Sequence, residues 1–167
     1  MTNIKFFFNV ENKIDLICSI LPERLIKKRN SLIYCSSDIQ LNLLSDQLWG
    51  DRLYSFFPHE ENNHHHFNKI TLSNKNIEWM DDTIINISSQ MIGGFNRYLN
   101  LFEIVSIEEK DKKLARIRFQ YFKDRGYNIQ SIDAKKIKSR LDLSIYLLIK
   151  NQSSEHCSLA LLGKSKF

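Results

Sequence analysis

The chain has 167 residues, 43% of them apolar and 26% charged, with only five Gly and two Pro. A chain of that size buries roughly two-thirds of the surface it exposes when unfolded, so its core needs neither metal nor disulfides, and 11% aromatic content argues against disorder. The net charge is +5, yet residues 1–130 hold 17 basic and 16 acidic side chains while residues 131–167 hold 7 and 3, which places most of the basic excess at the C-terminal end. No apolar run approaches the roughly 18 residues of a membrane span. The opening stretch, with Glu11 and Asp15, carries acids where a signal peptide stays apolar, so a cytoplasmic protein without a membrane is expected. Cys18, Cys35 and Cys157 form no C-x-x-C pair and read as reduced, mostly buried residues.

In chain order, Ile4–Asn9 is a β-prone run, and Ile14, Ile17, Leu21 and Leu25 recur at helical spacing after it. Pro22 lacks a donor and is expected to kink or split that helix, which the cationic end Lys27-Lys28-Arg29 closes. Ser31–Cys35 is a second buried-type strand, and Ser36-Ser37-Asp38 caps a second helix with apolar positions Ile39, Leu43, Leu44 and Leu48. Two strand–helix units in succession predict a parallel pair. Residues 60–68 read as a polar surface loop, 69–72 as a short strand, Thr83–Ile87 as a better one, and Phe102–Ser106 as a strand with its apolar side chains in near alternation. Asp111–Arg125 is the clearest helix, stopped by Gly126, and Tyr127–Ile132 returns as extended chain. The alternation of strands and helices indicates an α/β sheet domain.

The helix 111–125 carries the most informative pattern. With Lys112 at zero and about 100° per residue, Arg116, Phe119 and Lys123 fall within roughly 40° of it, while Leu114, Ile117 and Tyr121 fall on the opposite side. The second set reads as the core stripe, which leaves Phe119 amid cations. A solvated charged face with Phe119 under a loop accounts for this, and so does a ligand that is both anionic and apolar. Two ligands fit the latter: single-stranded nucleic acid, through stacking and phosphate pairing, and an acidic peptide ending in a hydrophobic residue, held by its terminal carboxylate. Composition leaves both open.

Other constellations carry less. His59, His64, His65 and His66 with Glu60 and Glu61 read as a solvated loop rather than a metal site. No G-x-S-x-G or H-E-x-x-H occurs, and Asn9-Val-Glu-Asn-Lys13 stands where a phosphate loop would follow the first strand, so no nucleotide or other cofactor is expected. Asp81-Asp82 reads as turn chemistry.

The N-terminal Phe6-Phe-Phe8 strand, Leu32-Ile-Tyr-Cys-Ser-Ser-Asp38, Leu48-Trp49, Ser55-Phe-Phe-Pro-His59, Ile84-Ile-Asn-Ile87 and above all Leu114-Ala-Arg-Ile-Arg-Phe-Gln-Tyr-Phe-Lys-Asp-Arg-Gly-Tyr127 together resemble the chi subunit of bacterial DNA polymerase III, over about residues 1–130. The resemblance implies a mostly parallel sheet flanked by helices, Rossmann-like but here without a phosphate-binding loop. It implies a non-enzymatic clamp-loader accessory subunit that pairs with the psi subunit or another clamp-loader component. It also implies binding of the acidic C-terminal tail of single-stranded DNA-binding protein, which ends in Pro-Phe, and through it an indirect contact with single-stranded DNA. By position, Arg116 would clamp the tail's terminal carboxylate, Lys112 attract its acids, and Phe119, Val105 and Tyr127 form the pocket for its Phe. Position 119 is often Tyr in the family, and Gln120 stands where some members carry Lys, a charge that Lys123 would restore.

Trp49, Phe57 and Pro58 fall where the resemblance places the psi interface, although they also suit core and turn. Residues 131–167, with basic Lys135–Arg140 and apolar Leu143–Ile149, form a C-terminal extension beyond the chi-like domain 1–130. The other reading is a direct single-stranded nucleic-acid-binding module that uses helix 111–125 and the basic tail.

Overall fold

The three consecutive phenylalanines of β1 (Asn3–Val10) divide between the two faces of a sheet, because neighbours along a strand point oppositely. Phe7 meets Phe102 edge to face at 5.4 Å on one face, where Arg24 also lies over the Phe102 ring. Phe6 meets Phe119 on the other. This computed structural model describes residues 1–50, 56–62, 68–75 and 82–136. Residues 1–134 form one compact unit and residues 135–167 a second; all but the first two residues of the second lie outside the described ones.

After β1 come α1 (Lys13–Ile26), β2 (Ser31–Tyr34), α2 (Asp38–Gly50), β3 (Glu60–Glu61), β4 (Ile70–Ser73), β5 (Thr83–Asn86), a 3-10 turn at Phe95–Arg97, β6 (Asn100–Ser106), α3 (Glu109–Asp124) and β7 (Ile129–Asp133). The sheet order is β3-β4-β2-β5-β6-β1-β7, and every pairing is parallel. This is a single open α/β sheet of Rossmann-like arrangement with helices against it, as the sequence led one to expect. Asn12 caps α1 by accepting from Ile14 N–H at 2.9 Å, and Ser37 Oγ accepts from Gln40 N–H at 3.3 Å while Gln40 Oε1 accepts from Ser36 N–H at 2.7 Å, a reciprocal cap on α2. Gly126, at φ +72°, takes the left-handed position that ends α3. Among the described residues no helix is long and apolar enough to cross a membrane.

Several expectations need correction. α1 runs unbroken through Pro22 to Ile26. Glu60–Glu61 is a short edge strand against Thr71 and Leu72, not loop. His59 is not solvated: it is buried, bonded to Ser45 Oγ at 2.9 Å and to the Phe57 carbonyl at 2.8 Å. His64, His65, His66, Asp81 and Cys157 lie outside the described residues. In α2 the inward positions are Leu41, Leu44, Ser45 and Leu48, while Ile39 and Leu43 are exposed. Leu101–Val105 of β6 are all buried rather than alternating, because an interior strand of a parallel sheet is covered on both faces. β7 crosses the expected boundary at 130/131.

The largest correction concerns α3. Its buried residues are Asp111, Ala115, Arg118 and Phe122, whereas Leu114 and Ile117 are exposed and Tyr121 is half-buried. The helix is rotated roughly a quarter turn from the expected phase. Ile92, Phe95 and Tyr98, from the β5–β6 connection, join Phe122, Leu101 and Ile4 in the core that α3 covers.

Candidate functional site

Because α3 turns Ala115 and Phe122 inward, the neighbouring positions Lys112, Arg116 and Phe119 come to lie along its flank beside β1 and β6. There they border a cavity of about 360 Å³. Phe6 and Phe8 reach it from one face of β1, Val105 from the end of β6, Ala115 and Phe119 from α3, and Ser131 from β7. Asn9 closes one side. Its φ of +59° is tolerated by Asn better than by most residues, and it sits at the irregularity where β1 slips register against β6 between Phe7 and Val10. Asn9 Nδ2 donates to Asp133 Oδ1 at 3.3 Å, tying the rim to β7.

The wall is apolar and the rim cationic. Phe119 is half-buried, its ring edge-on to Phe6 at 5.3 Å. Arg116 is exposed and makes no ion pair among the described residues. Lys112 is partly engaged, with Nζ 3.1 Å from Glu109 Oε1. Of the six residues expected to bind the tail, Val105, Lys112, Arg116 and Phe119 therefore share one cavity. Lys123 is exposed further along α3, and Tyr127 packs instead against Phe95 and Phe122 at 5.5 and 6.0 Å. Phe6, Phe8, Asn9, Ala115 and Ser131 were not singled out from sequence. The period-2 spacing of Phe6 and Phe8 was the available signal, but only the sheet order brings β1 and β7 beside α3.

A polar network lies against the buried face of α3. Arg118 Nε donates to Glu103 Oε2 at 3.0 Å, and Nη1 to the Ser89 carbonyl at 2.6 Å. Asn86 Nδ2 donates to both Glu103 oxygens at 3.0 and 3.1 Å. Burial pushes the Glu103 carboxyl above the usual carboxylate range, although Arg118 and Asn86 pull the other way. Asp111 accepts from Ser106 N–H at 2.9 Å and from Ser89 Oγ at 3.1 Å, and pairs with Lys13 at 2.8 Å. Burial alone would raise the Asp111 carboxyl, but these hydrogen bonds and the Lys13 charge outweigh it and hold the group below the ordinary aspartate range. Arg118 Nη2 is buried without a hydrogen-bond partner.

A second surface differs in kind. Trp49 and Phe56 are exposed with ring centroids 5.2 Å apart, and Trp49 also meets the His59 ring in a tilted contact at 4.7 Å. Pro58 is exposed beside them. Phe57 is buried, its N–H bonded to the Leu48 carbonyl at 2.9 Å, so it supports this surface rather than forming it. Burial pushes the Cys35 thiol up to about 12, which leaves it no thiolate at neutral pH. Among the described residues no group of three or more His, Cys, Asp or Glu is placed to hold a metal.

Among solved structures, an S. cerevisiae Dbp5 variant bound to RNA and ADP BeF3 has a TM-score of 0.61 at 10% identity, over 89% of this chain and 45% of that one. At that identity the likeness is one of fold alone, and this chain spans less than half of the other's length. No curated protein matches the sequence. The family model for the DNA polymerase III chi subunit, HolC, matches residues 1–130, and the chain belongs to that family.

Proposed function

We propose that this DNA polymerase III accessory subunit is non-catalytic and links the clamp loader to single-stranded DNA-binding protein by holding that protein's acidic C-terminal tail in the α3 cavity. The observation that carries this reading is the pairing of an apolar wall (Phe6, Phe8, Val105, Phe119) with Arg116, a rim cation that has no carboxylate partner among the described residues. The terminal Phe of the tail would fill the cavity, its carboxylate would meet the Arg116 guanidinium bidentately, and Lys112 and the exposed Lys123 would draw in the acids.

Burying an aromatic side chain is worth roughly 1.5–3 kcal/mol and charge-assisted hydrogen bonds about as much again, so a single site binds weakly, with a Kd no tighter than tens of micromolar. Several tails on one single-stranded DNA-binding tetramer raise the avidity without a new contact. The protein acts by recruitment, in the cytoplasm at the replisome. The exposed Trp49, Phe56 and Pro58 surface is the proposed contact for psi or another clamp-loader component, with Phe57 beneath it, since clustered exposed aromatics are favoured interface anchors.

Titration of the full-length chain with a synthetic acidic peptide ending in Pro-Phe, against the same peptide without the terminal Phe, tests this reading. The first is expected to bind and the second not. Equal binding of both overturns this reading of the site, and binding of single-stranded DNA while neither peptide binds assigns the helix and the basic C-terminal segment to direct nucleic-acid binding instead.

A further inference from the structure

α3 has two stripes that compete for the interior. The buried one holds Ala115 and Phe122 beside the charged Asp111 and Arg118; the outward one holds Leu114 and Ile117, the latter 66% exposed. Apolar burial does not select the observed rotation, since Leu114, Ile117 and Tyr121 offer more apolar surface than Ala115 and Phe122.

The charged residues do separate them. In the observed rotation Arg118 reaches Glu103 at 3.0 Å and the Ser89 carbonyl at 2.6 Å. A quarter turn would withdraw the guanidinium and strand Glu103, 1% exposed, without its counter-charge. That same turn would carry Arg116 and Phe119 from the flank beside β1 and β6 out to solvent and dissolve the cavity wall.

We propose that the buried Glu103–Arg118 pair is a positioning device: it selects the rotation of α3 that sets Arg116 and Phe119 against the cavity. Its purpose rests on the tail-binding reading, but its geometry does not. A buried ion pair contributes little stability over an apolar replacement of the same volume, and its best-attested use is to select one arrangement among competing ones. Glu103 lies two residues before Val105 on β6, and Arg118 directly precedes Phe119, so the pair acts next to the wall it holds.

The test uses the full-length chain carrying Ile117→Cys, with alkylation at the introduced thiol mapped by mass spectrometry so that the native cysteines are read separately. Combining it with Glu103→Gln and Arg118→Met is expected to slow that alkylation at least roughly fivefold, because the outward stripe turns inward while circular dichroism stays that of a folded chain. Without the thiol, the same two changes are expected to weaken binding of the Pro-Phe peptide at least roughly tenfold, and adding Leu114→Gln and Ile117→Gln, which remove the drive toward the competing rotation, restores it to within about threefold. A role in stability alone gives no such rescue. A folded double variant with unchanged alkylation overturns the proposal. Where the double variant does not fold, Glu103→Gln alone, which removes the counter-charge of Arg118 but keeps the shape of the side chain, is read in its place, and unchanged alkylation there overturns the proposal equally. Slowed alkylation in a protein whose wild type binds no peptide sustains the positioning role and retires the tail-binding reading.

Discussion

The rings of Phe6 and Phe119 meet edge to face with centroids 5.3 Å apart and planes at 66°, joining the sheet to α3 at the floor of the cavity. Phe6 also meets Phe122 at 6.1 Å, so one strand residue supports both a core ring and a cavity ring. The site is thus built on the hydrophobic core, and changes to its wall are felt in stability as well as in binding.

Phe119→Ala is expected to cost about 1–3 kcal/mol of stability, below the range for a fully buried Phe because the ring is only half-buried, and to abolish measurable peptide binding. Phe119→Tyr keeps the ring and is expected to bind within about threefold of wild type, since the added hydroxyl can point to the open side of the cavity. Thermal melts and peptide titration of both variants check this; an Ala variant with wild-type affinity would remove Phe119 from the site.

Arg116→Ala separates binding from folding. The side chain is exposed and has no ion-pair partner among the described residues, so the melting temperature should move by no more than about 2 °C, in line with a surface change within about 0.5 kcal/mol. Peptide affinity should fall at least roughly tenfold through loss of a charge-assisted hydrogen bond to the terminal carboxylate. Arg116→Lys should lie between, since an ammonium cannot make the bidentate pair. Normal binding by the Ala variant would place the carboxylate elsewhere.

Much of this architecture can be read from the residues. The presence of α3 and its stop at Gly126, the β1, β2, β5 and β6 runs and the i, i+4, i+7 spacing of Lys112, Arg116 and Phe119 follow from local pattern, although α3 starts at Glu109, two residues before the expected Asp111. The rotation of α3 does not, because Asp111 and Arg118 look solvent-bound until Lys13, Ser89 and Glu103 are placed against them, and those partners come from other elements. The same holds for Leu114 and Ile117, whose exposure contradicts the apolar rule that assigns them inward. Phe8, Asn9 and Ser131 are invisible as site residues for a related reason: β7 is the last of the described strands yet pairs with β1, the first, and no local signal gives that order.

Asp111 makes acid stability a second readout of the same network. Its native carboxyl is held below the ordinary aspartate range, so the unfolded chain binds that proton more readily. The stabilisation is therefore complete at neutral pH and is lost as pH falls through the ordinary value of about 3.9 toward the lower native one. Asp111→Asn should melt lower than wild type at pH 7, by about 1–3 kcal/mol for the lost charge-assisted bonds, and the gap should close below about pH 4. Glu103, raised by burial, runs the other way, with a contribution that declines as pH rises in wild type and variant alike. A gap that does not change with pH would mean that Asp111 is not ionised against Lys13.

Truncation decides between the peptide and nucleic-acid readings. The described residues bordering the cavity, from Phe6 to Ser131, lie in the unit that ends at Ala134, and β7 runs to Asp133. A cut at residue 130 would remove most of that strand and with it the Ser131 side of the cavity, whereas a cut after residue 134 leaves the sheet and α3 whole. Residues 135–167 carry seven basic and two acidic side chains, so their removal takes away the main basic excess and keeps Phe6, Val105, Arg116, Phe119 and Ser131. The shortened chain is expected to bind the Pro-Phe peptide within about threefold of the full-length protein, because screened charges beyond the site change affinity little at physiological salt. If single-stranded DNA were the ligand, losing that many cations would instead weaken binding and flatten its salt dependence. Peptide and oligonucleotide titrations of both lengths at two salt concentrations give opposite patterns for the two ligands.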